Sequence, residues 1–245
     1  MTPGRSTRRC NVALDFDAVD DQVSHGDANA MDGIANLTFT AWINPDTNPD
    51  TGRLVISAKT ADNPTHLAGS YTNSNSLSSR LNADGISHTD ANTITLTVWQ
   101  HVAMEYDGAR ATASRILYYI NGILVTSNHT GNGHPATLPS NAANWTIGGA
   151  GGQYWDGRIA LVKAWTASLT AAEIVQEMNS FRPVRMANLV LWSPYDDGTN
   201  ARDYSGNENH GVVTGALQAP GPPVSYGGQV RRWRRGPDQR LWRRA

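Results

Sequence analysis

A single cysteine, Cys10, two lysines and four glutamates are all that 245 residues hold of those three types. One thiol excludes an intrachain disulfide, so burial and hydrogen bonds must carry the fold, and Cys10 reads as an incidental thiol. The shortage of Lys and Glu, beside abundant Asn, Thr, Ser, Gly and Asp, argues against long helices and for strands and turns. No apolar stretch approaches the roughly 20 residues that cross a bilayer, and no apolar run after Met1 reads as a secretory signal. The expectation is a chain made and kept, or assembled, in the cytoplasm. No Gly-rich loop opens a helix to hold phosphate. The seven histidines are scattered without zinc-ligand spacing.

Charge is present but unevenly placed. Arg5, Arg8 and Arg9 stand near one end; Arg231, Arg232, Arg234, Arg235, Arg240, Arg243 and Arg244 stand near the other. Residues 11–230 hold ten cations against twenty carboxylates, a net charge of −10. The electrostatic description is an acidic body with two basic arms.

Between the arms, hydrophobic alternation of period two recurs. Leu14 and Phe16 alternate with Ala13 and Asp15. Leu37, Phe39, Ala41 and Ile43 alternate with Thr38, Thr40 and Trp42, which predicts a half-buried strand ended by Asn44-Pro45. Asn121-Gly122 lies between two β runs and predicts a tight hairpin, because both turn residues tolerate φ > 0. One helix is expected at roughly 170–179, where Thr170 and Glu173 form a capping box and Ile174, Val175 and Met178 supply an apolar face. About ten to twelve strands with one short helix exclude a helical bundle or a βαβ fold.

Several segments resemble the laminin G-like, concanavalin A-like lectin/glucanase superfamily. They are Ala13-Leu-Asp-Phe-Asp-Ala-Val-Asp-Asp-Gln-Val23, Leu37 to Trp42, Trp99-Gln-His-Val-Ala, Tyr106-Asp-Gly108, Tyr119-Ile-Asn-Gly122, and Gly157-Arg-Ile159 leading to Leu169-Thr-Ala-Ala-Glu-Ile174. Their order and spacing carry the likeness over about 12–180. The resemblance implies an all-β fold, an antiparallel two-sheet β-sandwich of concanavalin A-like jelly-roll type with one short helix, to which the charge distribution adds basic terminal arms. Leu189 to Gly215 also looks familiar, but in the family that segment usually comes first. Either it closes the same sandwich in permuted order, the reading preferred here, or it begins a truncated second copy. The organisation read from this is a basic arm at 1–10, a jelly-roll domain at 11–217 with 189–217 as a permuted closing strand pair, and a Pro-rich linker with an Arg/Trp-rich arm at 218–245.

Glycoside hydrolases on this sandwich need two carboxylates across a cleft. The glucanase relatives carry them as Glu-x-Asp-x-x-Glu, which does not occur here. Glu105 is alone on its strand, Glu173 and Glu177 read as helix surface, and Glu208 lies in a turn. The expectation is no enzymatic activity. Sugar binding is what the resemblance implies instead. It calls for an exposed aromatic beside amide hydrogen-bonders, and Gln153, Tyr154 and Trp155 with the loop bearing Asn128, Asn132 and His134 are the candidates. Hard oxygen ligands for calcium are offered by Asp17, Asp20 and Asp21, and by Asp203, Asn207 and Asn209, although Asp and Asn serve turns equally well.

The segments Arg231-Arg-Trp-Arg-Arg235 and Arg240-Leu-Trp-Arg-Arg244 repeat one pattern around Trp233 and Trp242. Arginine pairs bidentately with carboxylates and stacks on aromatics. Other copies of the chain, or a capsid or tail protein, are the expected partners of the arms, ahead of nucleic acid; cell-surface glycans are expected at the sandwich. The permuted ending and this tail resemble phage-encoded laminin G-like proteins. The expected setting is therefore a virion surface, assembled in the host cytoplasm, with a soluble extracellular lectin as the alternative.

Overall fold

The computed structural model describes residues 12–48, 53–59, 66–72, 74–82, 85–196 and 200–224. The arginines and tryptophans of both basic arms, and Cys10, lie outside the described residues.

The chain forms β1 Val12–Asp17, β2 Gln22–Ser24, β3 Asn36–Pro45, β4 Arg53–Lys59, β5 His66–Thr72, β6 Ser76–Asn82 and β7 Gly85–Thr89. It continues with β8 Gln100–Asp107, β9 Ile116–Ile120, β10 Ile123–Val125, β11 Ser127–Gly131, β12 Trp145–Ile147, β13 Gly149–Ala150, β14 Gln153–Tyr154 and β15 Asp156–Trp165. The helix α1, Ala171–Met178, precedes β16 Leu189–Ser193, β17 Asn200–Ala201, β18 Gly211–Thr214 and β19 Leu217–Pro220.

Two antiparallel sheets result. One runs β10–β9–β8–β3–β15–β1–β19, with β16 also on β15. The other runs β11–β7–β6–β5–β4–β12–β2–β18–β17, and β13–β14 form a separate ribbon. Leu37, Phe39, Ala41, Ile43, Val102 and Met104 from the first sheet meet Val23, Ile56, Leu77, Trp145 and Ile147 from the second in one apolar interior. The two-sheet sandwich that the resemblance implies is the architecture found.

The first sheet departs from the expected pattern in one respect. β3 and β15 are buried on both faces rather than half-buried. The outer face is covered by α1 and the chain after it, with Trp165, Leu169, Ile174, Leu189 and Tyr119 in one cluster. Trp42, Ala13, Ala160 and Leu161 form a second, packed against Met178, Phe181 and Val224.

The capping box is present: Glu173 N–H donates to Thr170 Oγ1 at 3.2 Å, and Thr170 N–H donates to Glu173 Oε2 at 2.8 Å. Glu177, read from the sequence as helix surface, is instead buried. Its Oε2 accepts from Lys163 Nζ at 2.5 Å, its Oε1 accepts from Val184 N–H, and the lysine also donates to Ser180 O at 2.8 Å. That pair fastens the helix to the sheet. The Asn121-Gly122 turn takes the expected shape, with φ of 51° and 77°.

The strands after Leu189 pair with earlier ones: β16 with β15, β18 with β2 and β19 with β1. Val190, Leu191, Ala201 and Ala216 belong to the same interior as β3 and β8.

Candidate functional site

β1 places Phe16 inward and delivers Asp17 to the rim of the sandwich. The chain then turns sharply, with Ala18 at φ 66°. Asp17 Oδ1 accepts from Val19 N–H, and Asp21 Oδ2 accepts from Asp17 N–H, both at 2.9 Å. These bonds fold three carboxylates together: oxygens of Asp17, Asp20 and Asp21 lie within 4.8 Å of one another. Asp17 and Asp20 are exposed and Asp21 is buried. Burial raises the Asp21 carboxyl above the ordinary range, and the charges of Asp17, Asp20 and Asp15 push the same way. The opposite wall is Gly215, at φ 72°, where a β-carbon would stand 1.7 Å from Asp21 Oδ1. Only glycine fits there.

Beside this turn stands the β13–β14 ribbon, in which Gly149 faces Tyr154 and Ala150 faces Gln153. Ala18 N–H donates to Trp155 O at 3.0 Å, and Trp155 N–H donates to Gly148 O at 2.6 Å. A β-carbon on Gly149 would lie 2.5 Å from Tyr154 Cδ1 and 2.9 Å from Asp21 O. The tyrosine ring and the acidic turn are thus neighbours across one glycine. Gln153 and Tyr154 are half-buried. Gln153 Oε1 is enclosed without a hydrogen-bond partner among the described residues.

Two further carboxylates join this rim without having been singled out in the sequence. Asp156 is the cross-strand partner of Asp17, and Asp46 N–H donates to Asp156 O at 3.0 Å. Each sits at the end of a separate strand, so only the register brings them together.

The first acidic set fits calcium in donor type and spacing. Ligands at 2.3–2.6 Å from a common ion lie no more than about 5 Å apart, and three hard carboxylates meet that limit. Asp203, Asn207 and Asn209 do not fit. Asp203 is buried, and its two oxygens already accept from Trp192 N–H, Ser205 N–H, Ser205 Oγ and Asn209 N–H. The Asn207 and Asn209 amides donate to Leu189 O and Val190 O. This second set ties the 203–210 turn to β16, which is the turn chemistry of Asp and Asn.

The sequence-derived sugar candidates divide in two. Gln153 and Tyr154 are on the rim with the acidic turn. Trp155 is fully buried in the interior, so it packs the core and presents no face to a ligand. Asn128 and Asn132 are exposed, but they belong to β11 and its following loop, at the far edge of the second sheet. β4, which packs against the ribbon, is four strands away from β11, about 19 Å. Asn128 Nδ2 donates to Asp90 Oδ1 at 2.8 Å. His134 is buried too, with Nε2 at 2.9 Å from Ser87 Oγ and its ring 5.0 Å from that of His129. Burial lowers its pKa to about 4, with His129 and Arg115 adding to the shift.

The glutamates are engaged elsewhere. Glu105 is buried and takes a bidentate pair from Arg110 at 2.5 and 3.0 Å. Glu173 caps the helix, its pKa lowered chiefly by the Thr170 N–H bond. Glu208 is exposed in a turn at φ 60°.

Comparison with known proteins follows the same lines. A laminin G family model, described as the Concanavalin A-like lectin/glucanases superfamily, matches residues 17–175. A candidate carbohydrate-binding protein from Bacteroides ovatus superposes with a TM-score of 0.63 at 16% identity, over 88% of this chain and 62% of that one. This chain therefore spans less than two thirds of that protein's length. A native heptameric SAP-like pentraxin from Limulus polyphemus superposes with a TM-score of 0.53 at 15% identity, over 86% of this chain and 95% of the pentraxin. No curated protein sequence matches the chain.

Proposed function

The chain belongs to the laminin G-like family of the concanavalin A-like lectin/glucanase superfamily, and from that premise we propose that it is a non-enzymatic carbohydrate-binding module whose sugar site is the rim around Tyr154. The observation that carries this reading is the convergence of a half-buried tyrosine, an amide oxygen lacking a partner and three clustered carboxylates on one edge. An aromatic face takes the apolar side of a pyranose, and fixed polar groups choose among its hydroxyls. Asp17, Asp20 and Asp21 would hold a calcium ion here, and calcium supplies open coordination positions for vicinal hydroxyls. The superposition on a Bacteroides ovatus protein described as a candidate carbohydrate-binding protein supports the same reading.

The test is a glycan array followed by calorimetric titration, with calcium and with chelator. Tyr154→Ala should weaken binding about tenfold or more, in the range of an aromatic anchor, and Asp20→Asn should remove the calcium dependence. Absence of any bound glycan under both conditions refutes the proposal.

A second reading concerns where the module works. The acidic body and basic arms favour display on a phage-like virion surface, with the arms gripping a capsid or tail protein or other copies. Deleting residues 1–10 and 228–245 should then abolish assembly while leaving sugar binding intact; unchanged assembly would dismiss this reading.

A further inference from the structure

The outer face of the first sheet holds an acidic patch that helix α1 does not cover. Residues opposite one another in antiparallel strands share a face about 5 Å apart. The register therefore sets Leu217, Asp15, Arg158 and Asn44 in one row across β19, β1, β15 and β3. Asp17 and Asp156 form the next row, and Asp46 adjoins them. Four carboxylates thus surround a single guanidinium, Arg158, whose Nε is 3.5 Å from Asp15 Oδ1. The charges of Asp46 and Asp156 both bear on Asp15, after its burial and the opposing effect of Arg158.

Two details point to what the patch receives. Asn44 is 5% exposed, and its Oδ1 has no hydrogen-bond partner among the described residues. An enclosed acceptor calls for an N–H donor. Leu217 is 72% exposed at the end of the same row, and Val19, at 67%, projects from the turn beside Asp17. A cation alone would leave those apolar groups bare; a segment carrying both guanidinium and aromatic groups satisfies all of them.

The chain itself carries such a segment, and it departs from this face. Val224 packs against the cluster of Trp42, Ala13, Ala160 and Leu161, in which Ala13 lies one row from Asp15, or about 7 Å. Six residues separate Val224 from Arg231, and the seven steps between them span up to about 24 Å. A tether that short holds the arginines at an effective concentration of order millimolar.

We propose that in the free chain the segment 231–235 folds back onto this patch, its arginines paired with Asp15, Asp46 and Asp156 and Trp233 seated against Leu217. The patch is then an intramolecular dock, and an external partner must draw the segment away from it.

Trypsin cleavage after Arg231–Arg235 in the full chain, followed by intact mass, tests this against a free peptide of residues 225–245. At low salt the tail should be cut about tenfold more slowly than the peptide, and in about 0.5 M salt nearly as fast. The protection should not change with protein concentration. Asp15→Asn with Asp156→Asn should abolish it, while Asp90→Asn at the opposite edge should not. Trp233→Ser leaves the sandwich and every arginine intact and should speed cleavage at least about threefold. Cleavage at the peptide's rate in low salt overturns the proposal. So does protection that grows with concentration, which would mark a neighbour's patch as the dock. Tyr154→Ala should leave the protection unchanged, so loss of the sugar site and loss of the dock read out separately.

Discussion

Lys163 and Lys59 are the two lysines of the chain, and both are buried ion-pair centres. Lys59 Nζ lies 2.9 Å from Asp27 Oδ1 and 2.9 Å from Asp32 Oδ1, joining β4 to the loop before β3. Lys163 does the same for α1 through Glu177. Burial lowers the lysine's pKa and raises the glutamate's, and each charge opposes the shift of the other. Lys163→Met leaves Glu177 enclosed without its counter-ion, and urea unfolding should show a loss of about 3–5 kcal/mol. Adding Glu177→Leu should recover most of that loss, because the pair's desolvation cost disappears with the pair. Equal destabilisation of the single and double variants would refute this account. Nothing local to the helix marked Glu177 as buried: it stands three residues after Ile174 on the covered face, but its partner Lys163 belongs to a strand.

At the scale of elements, the local signals were the legible ones. The strand at β3, the Asn-Gly hairpin and the Thr170 capping box each depend on residues close in sequence, and each appears where it was read, although β3 is buried on both faces. The covering of the first sheet by α1 was not legible, because a period-two pattern shows one apolar face and is silent about what lies over the other. The rim site was legible only in pieces. Asp17–Asp21 and Gln153–Tyr154 were both singled out, but more than 130 positions separate them, and their meeting depends on the Ala18 to Trp155 bond. The loop after β11 was grouped with Tyr154 on chemistry alone and proves to be at the other edge. The late strands carry their own prediction. Without residues 189–224, β15 loses β16, β2 loses β18 and β1 loses β19. A chain ending at 188 should lack a cooperative thermal transition, and a peptide of 189–224 added in trans should restore it. A cooperative melt of the shortened chain alone would show that these strands are dispensable.

For the molecule as a whole, buried histidines set the response to acid. Burial lowers His25 and His134 from 6.5 to about 4 and His101 to about 3. His25 Nδ1 is 2.8 Å from Asn209 O, and His101 packs edge-on to Trp42 at 5.6 Å. Unfolding releases all three to ordinary values, so below pH 6.5 the unfolded chain binds protons that the native state refuses. Their contribution is complete above pH 6.5 and is lost as pH falls toward about 4. The slope approaches about 1.4 kcal/mol per pH unit for each histidine. The raised carboxyls of Asp15 and Asp21 act in the opposite sense, binding protons in the native state first. Urea midpoints should therefore fall most steeply between pH 6 and 5, and a flat profile there would contradict the burial of these rings.

β15 divides its length between two partners on one side: residues 156–159 lie against β1 and residues 162–165 against β16, with Leu161 at φ 51° where the register shifts. Segments more than 170 positions apart thus share a single edge of the same strand. While the polypeptide emerges from the ribosome, that edge stays half bare until Ser193 has cleared the exit tunnel, and the other edge of β1 stays bare until Pro220 has. Such high contact order slows folding and leaves a sticky β edge exposed in the nascent protein, a window in which chaperone capture competes with self-completion.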